Sequence, residues 1–499
     1  MMNGEISQEA ERKVINMVMK GFTRNIRALE ILTDEQVEQF HRGTLEVLDE
    51  TGIRIEHDRA LKLFADNGCK VNFKDKRVRI PGYLVEECLQ KAPASFLIKA
   101  RDTKNNLKVG GNTVYFTTFP GMKTVDLDTW EPRVSTKKEN DDAVKILDAL
   151  DNLHKLLCYT PYFEIEGVPS VMTIPESVAA KIRNSTKIQL TGYSKDCETF
   201  NIKMARVAGT EIMGQCCASP PLTFYGDAIE SAFRFVEAGF PLHISTGDVF
   251  GGTSPATLAG SMITNNAEII AIIVLTQLLK PGTRVVAADF VFPQDMRTGS
   301  PAFGAIGCSL HHVMFNQIWR KYRVPTNNAS VGVSSSKKID FQCGYERATL
   351  ALIAALSGGN IIQLHGGVHG ELTYHPIQSI LDDDIAGMIG RFIKGVEVSE
   401  ETLAIDLIKE VGPIPGFYLD KKHTRKWWKK EQFIPKVADR LTYPEWLKGD
   451  KKDALAYAKE KMEEILATHK PILLSEDQDK EIDEILEEAR RYYKEKGMI

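Results

Sequence analysis

The chain has 499 residues, 43% hydrophobic and 26% charged, with a formal net charge of −4, which excludes a disordered, collagenous or small disulfide-stapled protein. The near balance of charge also excludes global electrostatic attraction to nucleic acid or an anionic membrane. The N-terminal stretch MMNGEISQEAERKV is polar and no run of about eighteen apolar residues reads as a membrane span, so a cytoplasmic protein is expected.

Residues 1–135 read as a helical and hairpin extension. LTDEQVEQFHRGTLEVLDETG places Leu32, Val37, Phe40, Leu45 and Leu48 near helical spacing behind a Thr33 cap, with Gly52 as the stop. DRALKLFADN repeats the pattern, a short hairpin leads to a helix near Tyr83, and residues 96–134 alternate apolar and polar positions with turn signals at RDTKNN and GGN.

From about residue 140 a rhythm begins: a short β-rich run, a Gly or Pro break, then a helical pattern. The runs are KLLCYTPYF, KIQLTGYS, QCCASPPLTF, PLHISTGDVF, TRVVAADFVF, TNNASVGV and NIIQLHGG, with helices expected near 175–184, 198–213, 226–238, 256–279, 302–322, 340–357 and 376–394. Seven βα units without a Gly-rich phosphate fingerprint predict an α/β TIM (β/α)8 barrel over residues 136–440, its eighth strand falling between 140 and 160 or near 405. Residues 441–499 read as a C-terminal helical extension whose last helix covers the barrel or a neighbouring subunit, and DKKHTRKWWKKEQF, with Trp427 and Trp428 among basic residues, reads as a docking or assembly surface.

In such a barrel the active site gathers at the C-terminal ends of the strands. There the sequence places Tyr159, Tyr162, Tyr193, Phe224, Tyr225, Asp248, Phe250, Phe290, Phe292, the serines at 334–336, His365 and His369. A ring of π-faces suits a quaternary ammonium. Arg297, beside Asp295, is a candidate cation for a substrate carboxylate, and Asp340 stands where a helix N-cap belongs. His365 and His369 lie four apart, but Gly366, Gly367 and Gly370 argue against the helix that would make them metal ligands. The eight cysteines, Cys69, Cys88, Cys158, Cys197, Cys216, Cys217, Cys308 and Cys343, contain no C-x-x-C pair and read as reduced, buried thiols.

The stretches SPPLTF, GGTSPATLAGSMITNNAEIIAIIVLTQLLKPGTRV, DMRTG, SSSKKIDFQCGYERATLALIAALSGGNIIQLHGG and EVGPIPGFYLDKKHTRK closely resemble the trimethylamine methyltransferase superfamily, as do LTDEQVEQFHRGTLEVLDETGIRI and VRIPGYLVEECLQKAP. That resemblance spans nearly the whole chain and implies a corrinoid-dependent methyltransferase on a TIM barrel. The founding members use pyrrolysine; none is printed here, and SVGVSSS in the sixth run offers only small residues. What the resemblance then implies is a non-pyrrolysine member, most like the glycine betaine:corrinoid methyltransferases. It would pass a methyl group from a quaternary amine to the Co(I) corrinoid (cobalamin) of a partner protein. Proline betaine, carnitine and γ-butyrobetaine are alternative substrates, and a betaine-binding barrel without turnover is an alternative activity. No D-x-H-x-x-G signature of a cobalt-ligating domain is present, so the corrinoid is expected from the partner, with no metal bound by this chain and with homo-oligomerisation expected.

No side chain is expected to act as an acid or base, because a quaternary amine leaves as a neutral group; catalysis is by positioning. His365 and Asp340 are expected to position, with Tyr193, Tyr225, Phe250, Phe290, Phe292, Arg297, His365 and His369 binding substrate. Gly366, Gly367, Ser334 and Ser335 are expected to face the corrinoid, the glycines admitting it close to backbone.

Overall fold

The computed structural model describes residues 20–499, so the polar N-terminal stretch lies outside the described residues. Eight parallel strands close into a barrel: β1 (Thr113–Thr118), β2 (Lys155–Leu156), β3 (Ile188–Thr191), β4 (Ile212–Cys217), β5 (Leu242–Ser245), β6 (Val285–Asp289), β7 (Thr326–Asn328) and β8 (Ile361–His365). Each is followed by its helix: α1 (Lys137–Ala149), α2 (Thr173–Asn184), α3 (Cys197–Val207), α4 (Gly226–Ala238), α5 (Leu258–Leu279), α6 (Ile306–Tyr322), α7 (Phe341–Ser357) and α8 (Pro376–Ile393). The ring closes where Ile361, Ile362 and Gln363 of β8 pair with Tyr115, Phe116 and Thr117 of β1.

The eighth strand is therefore β1, and neither 140–160 nor the region near 405 supplies it. TVYFTT lies inside the stretch read as hairpins, and its connection to α1 is long and carries a small two-stranded ribbon of its own, Thr124–Val125 with Pro132–Arg133. That detour hid the βα rhythm. Residues 137–149 form α1, whose start is fixed by a reciprocal capping box between Thr136 and Glu139.

Strand register separates the two faces of the wall. Lys155 pairs with Ile188 and Thr117, Gln215 with His243, His243 with Val286, and Asn327 with Ile361. These residues face the lumen. Their neighbours Leu156, Leu242, Ile244 and Ile362 pack outward with the helices. The hairpin Ser95–Ile98 with Leu107–Gly110 plugs the lower end: Phe96, Ile98, Leu107 and Val109 form one buried cluster with Tyr115, Ile188, Met213, Val286 and Ile361.

Helix α5 is long and hydrophobic enough by composition to cross a membrane, and most of it is buried. The expectation that no such stretch exists is corrected here, and the cause is burial on both faces. One face of α5 lies on the barrel; the other is covered by the N-terminal helices Asp34–Glu46, Asp58–Asp66 and Gly82–Lys91. At the C-terminus, Ala454–Thr468 packs on α8 and α1. The last helix, Glu476–Glu495, sets Ile482, Ile485, Leu486, Ala489 and Tyr493 against α2 and α3, so it covers the barrel. Trp427 is buried in the short helix Lys422–Glu431, where its indole donates to Glu401, while Trp428 stays exposed. All eight cysteines are free.

One buried cation ties the upper rim together. Arg347 of α7 is fully buried, donates to the carbonyls of Gly332, Leu364 and Gly367, and pairs with Asp382 of α8, which in turn accepts from the Gly366 N–H at 2.9 Å. Removing one member of such a pair leaves the other charge without compensation, a loss of about 3–5 kcal/mol. Arg347→Met is expected to lower the thermal unfolding temperature sharply, and Arg347→Met with Asp382→Leu to recover much of the loss; equal destabilisation in both variants would contradict the pairing.

Candidate active site

With the lower end plugged, the C-terminal ends of the strands form the open end. Tyr159, just after β2, has left-handed backbone with φ of 59°, a strained position for a bulky residue. Its hydroxyl lies where only a glycine fits: a Cβ on Gly192 would stand 2.6 Å from it. The phenol of Tyr159 is within electrostatic reach of Cys158, Tyr193 and Cys217. The Tyr193 hydroxyl donates to the Cys217 carbonyl at 3.5 Å, and Cys158 Sγ donates to Gln215 Oε1 at 3.0 Å. Tyr159, Tyr193, Gln215 and Cys217 are each half-buried, the exposure expected of walls around a cavity.

Burial dominates the electrostatics of this group. It pushes the Cys158 thiol up to about 12, Cys217 up to about 11, and both tyrosines well above the usual phenol range. Glu371, within reach of both thiols, is accessible to solvent yet hemmed in by protein, and its carboxyl is raised by the same cause. At neutral pH the mouth therefore presents neutral π-faces and protonated thiols.

Beneath it, the lumen holds polar side chains without partners. Asn327 Nδ2 donates to His243 Nε2 at 2.7 Å. β5 and β7 flank β6, so that bond crosses the lumenal face of β6. It puts the His243 proton on Nδ1, which has no partner, and neither Asn327 Oδ1 nor the Lys155 ammonium has one. Burial pulls Lys155 down to about 8; burial and then the charge of Lys155 keep His243 neutral, well below its ordinary value.

The residues singled out from sequence scatter. Tyr193 lies at the mouth. Phe290 and Phe292 meet edge to face at 5.0 Å, and Phe292 repeats this with Phe303; Phe292 is buried in the wall behind the rim. Phe250 stacks on His311 with centroids 6.4 Å apart. Tyr225 is 55% exposed at the start of α4, beside the strand Thr223–Phe224 that joins the N-terminal sheet. Arg297 has an 88% exposed side chain bound at two points, 2.8 and 3.0 Å, to Asp295 of its own turn. Asp340 is the N-cap of α7, accepting from the Cys343 N–H at 2.9 Å.

The stretch LHGGVHG serves packing. His365 is fully buried, its ring against Phe116 and its Nε2 3.8 Å from Asp383 on α8. Gly366, at φ of 102°, makes room for the Tyr374 ring, and a Cβ on Gly367 would stand 3.0 Å from Phe119. The space these glycines open is filled by the protein's own rings. Ser334 donates to Glu346 at 2.5 Å and Ser335 to the Phe303 carbonyl at 3.1 Å, so both hydroxyls are engaged internally. His369 is half-buried near that serine loop, with Nδ1 unpartnered and its pKa lowered, first by burial and then by Lys337.

Sequence reasoning missed Lys155, Gln215, His243 and Asn327, although period-two alternation in KLLCY, GQCC, LHIS and TNN already puts a polar residue on the lumenal side of each run. It also missed a buried knot behind the β6 end: Asp289 accepts from His311 at 3.0 Å, His312 at 2.6 Å and Asn265 at 2.6 Å, and His312 reaches Ser330 at 3.0 Å. Burial would raise Asp289, but the two histidines hold it well below the carboxylate range. The HH pair at 311–312 was the available signal.

A family model described as trimethylamine methyltransferase (MTTB) matches residues 3–493. A glycine betaine methyltransferase of Desulfitobacterium hafniense (strain Y51) is 32% identical over 467 residues, covering 91% of this chain and 95% of that protein. A trimethylamine methyltransferase MttB of Desulfitobacterium hafniense (strain DSM 10664 / DCB-2) is 31% identical over 478 residues, covering 92% and 94%. A solved monomethylamine methyltransferase of Methanosarcina barkeri (MtmB) superposes with a TM-score of 0.49 at 12% identity, covering 92% of this chain and 97% of that one.

The wall at His365 has a pH signature. Burial would raise Asp383, but His365, Lys436 and the Asn152 N–H outweigh it and hold the carboxyl at about 2, below its ordinary 3.8. A depressed carboxyl contributes stability that is fully present above the unfolded-state value near 4 and is lost as pH falls through about 2. Asp383→Asn is expected to lower the thermal unfolding temperature at pH 6 and to flatten its decline between pH 4 and 2. A decline parallel to that of the unaltered protein would contradict this.

Proposed function

This chain belongs to the trimethylamine methyltransferase (MTTB) family and is a methyltransferase, and from that premise we propose that it removes a methyl group from a quaternary amine, glycine betaine first among the candidates, and delivers it to the corrinoid of a separate protein. The observation that supports the substrate class is the mouth itself: Tyr159 and Tyr193, both half-buried, follow the ends of β2 and β3 near the protonated thiols of Cys158 and Cys217, with the lower end of the barrel plugged. Neutral π-faces attract a fixed cation that has no N–H to donate, worth about 0.5–2 kcal/mol per well-placed ring.

The corrinoid would supply the Co(I) nucleophile that accepts the methyl group. Everything else falls to the chain. Its rings hold the ammonium with one methyl toward the open end, and the departing amine is neutral, so the site needs no general acid. Cys158 and Cys217 stay protonated because burial raises them, which removes two thiolates that would otherwise compete for the methyl group.

The test is formation of methylcobalamin, followed by absorbance, from Co(I) cobalamin and each of trimethylamine, glycine betaine, proline betaine, carnitine and γ-butyrobetaine. Transfer from one or more quaternary amines is expected; transfer from trimethylamine alone would overturn the reading. Tyr193→Ala and Tyr159→Ala are expected to raise the KM for the quaternary substrate by roughly 5- to 30-fold each. Unchanged KM values in both would remove these rings from the site.

A further inference from the structure

We propose that Lys155, His243 and Asn327 form an anion-binding subsite in the barrel lumen that takes the carboxylate of the substrate. The inference rests on the quaternary-amine reading and narrows it to amines that carry a carboxylate, as against choline-like or purely alkyl cations.

Three observations carry it. First, the polar atoms are present and unspent: among the described residues the Lys155 ammonium, His243 Nδ1 and Asn327 Oδ1 are buried without a hydrogen-bond partner, while Asn327 Nδ2 donates to His243 Nε2 at 2.7 Å. Unpartnered buried groups of this kind are costly and call for a partner. The donors outnumber the acceptor, so the missing partner is an acceptor-rich, negatively charged group.

Second, the position is set by strand register. Lys155 on β2 shares its level with Thr117 and Ile188, and His243 on β5 pairs with Gln215, which accepts from Cys158 at the floor of the mouth. The subsite is continuous with the mouth through Gln215 and Cys158. Val286 and Ile361, paired in register with His243 and Asn327, complete the same stretch of wall and meet the plugging hairpin. The polar atoms therefore lie between the mouth and the hairpin that plugs the lower end.

Third, the geometry of methyl transfer selects the orientation. The acceptor approaches through the open end, so the transferred methyl must point outward while the other three substituents of the tetrahedral nitrogen fan inward. For a betaine one of these ends in a carboxylate. The exposed alternative, Arg297, is already held by Asp295 outside the mouth.

The experiment compares ligands that share one pole. Calorimetry is run with glycine betaine, with choline, and with 3,3-dimethylbutyrate, an uncharged-headed isostere that keeps the carboxylate, on the unaltered protein, Lys155→Met and His243→Phe. The expected result is a loss of at least 30-fold in affinity for glycine betaine and 3,3-dimethylbutyrate in Lys155→Met, a smaller loss in the same direction in His243→Phe, and choline binding within twofold throughout. Equal losses for choline would reduce both residues to a structural role, and unchanged betaine affinity in both variants would overturn the subsite. Should Lys155→Met fail to fold, His243→Phe decides alone. Binding of 3,3-dimethylbutyrate that depends on Lys155, in a protein that transfers no methyl group from any quaternary amine, would keep the subsite and refute the methyl-transfer reading.

Discussion

Closure of the barrel between β8 and β1 is the constraint from which the rest follows. Pairing of Ile361, Ile362 and Gln363 with Tyr115, Phe116 and Thr117 turns an open sheet into a tube, and the tube has only two ends. The hairpin just before β1 fills one of them with Phe96, Ile98, Leu107 and Val109. Any reactant must enter at the other. The Arg347–Asp382 pair then fixes that rim by binding the carbonyls that follow β7 and β8.

Within the tube, Lys155, His243 and Asn327 interrupt an apolar wall that includes Ile188, Val286 and Ile361, and the thiols and tyrosines of the mouth follow toward the strand ends. A zwitterion with a cationic head and an anionic tail has the same polarity along its length, the head fitting the π-faces and the tail the ammonium below. The thiols and tyrosines of the mouth stay protonated at neutral pH, which suits a transfer whose leaving group carries no charge. Charge is concentrated elsewhere, in the Asp289–His311–His312 knot that ties the end of β6 to α6 and in the ion pairs of the outer helices.

How much of this was legible in the sequence depended on the length of the signal. Long amphipathic or apolar stretches gave seven of the barrel helices, and Gly209–Thr210 ends α3 earlier than the expected 213 because β4 begins at Ile212. Strands of two to six residues carry little periodicity, and β1 was lost among hairpins because its crossover to α1 is long and carries strands of its own. In the site, aromatic residues at strand ends pointed to the mouth, yet of the expected ligands only Tyr193 is placed among its walls, since whether a ring faces inward depends on a register that no single run reveals. Arg297 and the glycines at 366–367 misled for a physical reason: a cation is as easily held by its own turn, and a glycine as easily makes room for a tyrosine as for a ligand. Lys155 and His243 were legible as polar residues in apolar strands, but only closure of the ring brings them together.

The orientation of a betaine along the barrel axis is decided by a crystal structure of the protein with glycine betaine bound. The expected result is the carboxylate within hydrogen-bonding distance of Lys155 Nζ and His243 Nδ1, the trimethylammonium against Tyr159 and Tyr193, and one methyl toward the open end. A carboxylate turned outward to the rim, or a ligand seated anywhere but the lumen, would contradict it.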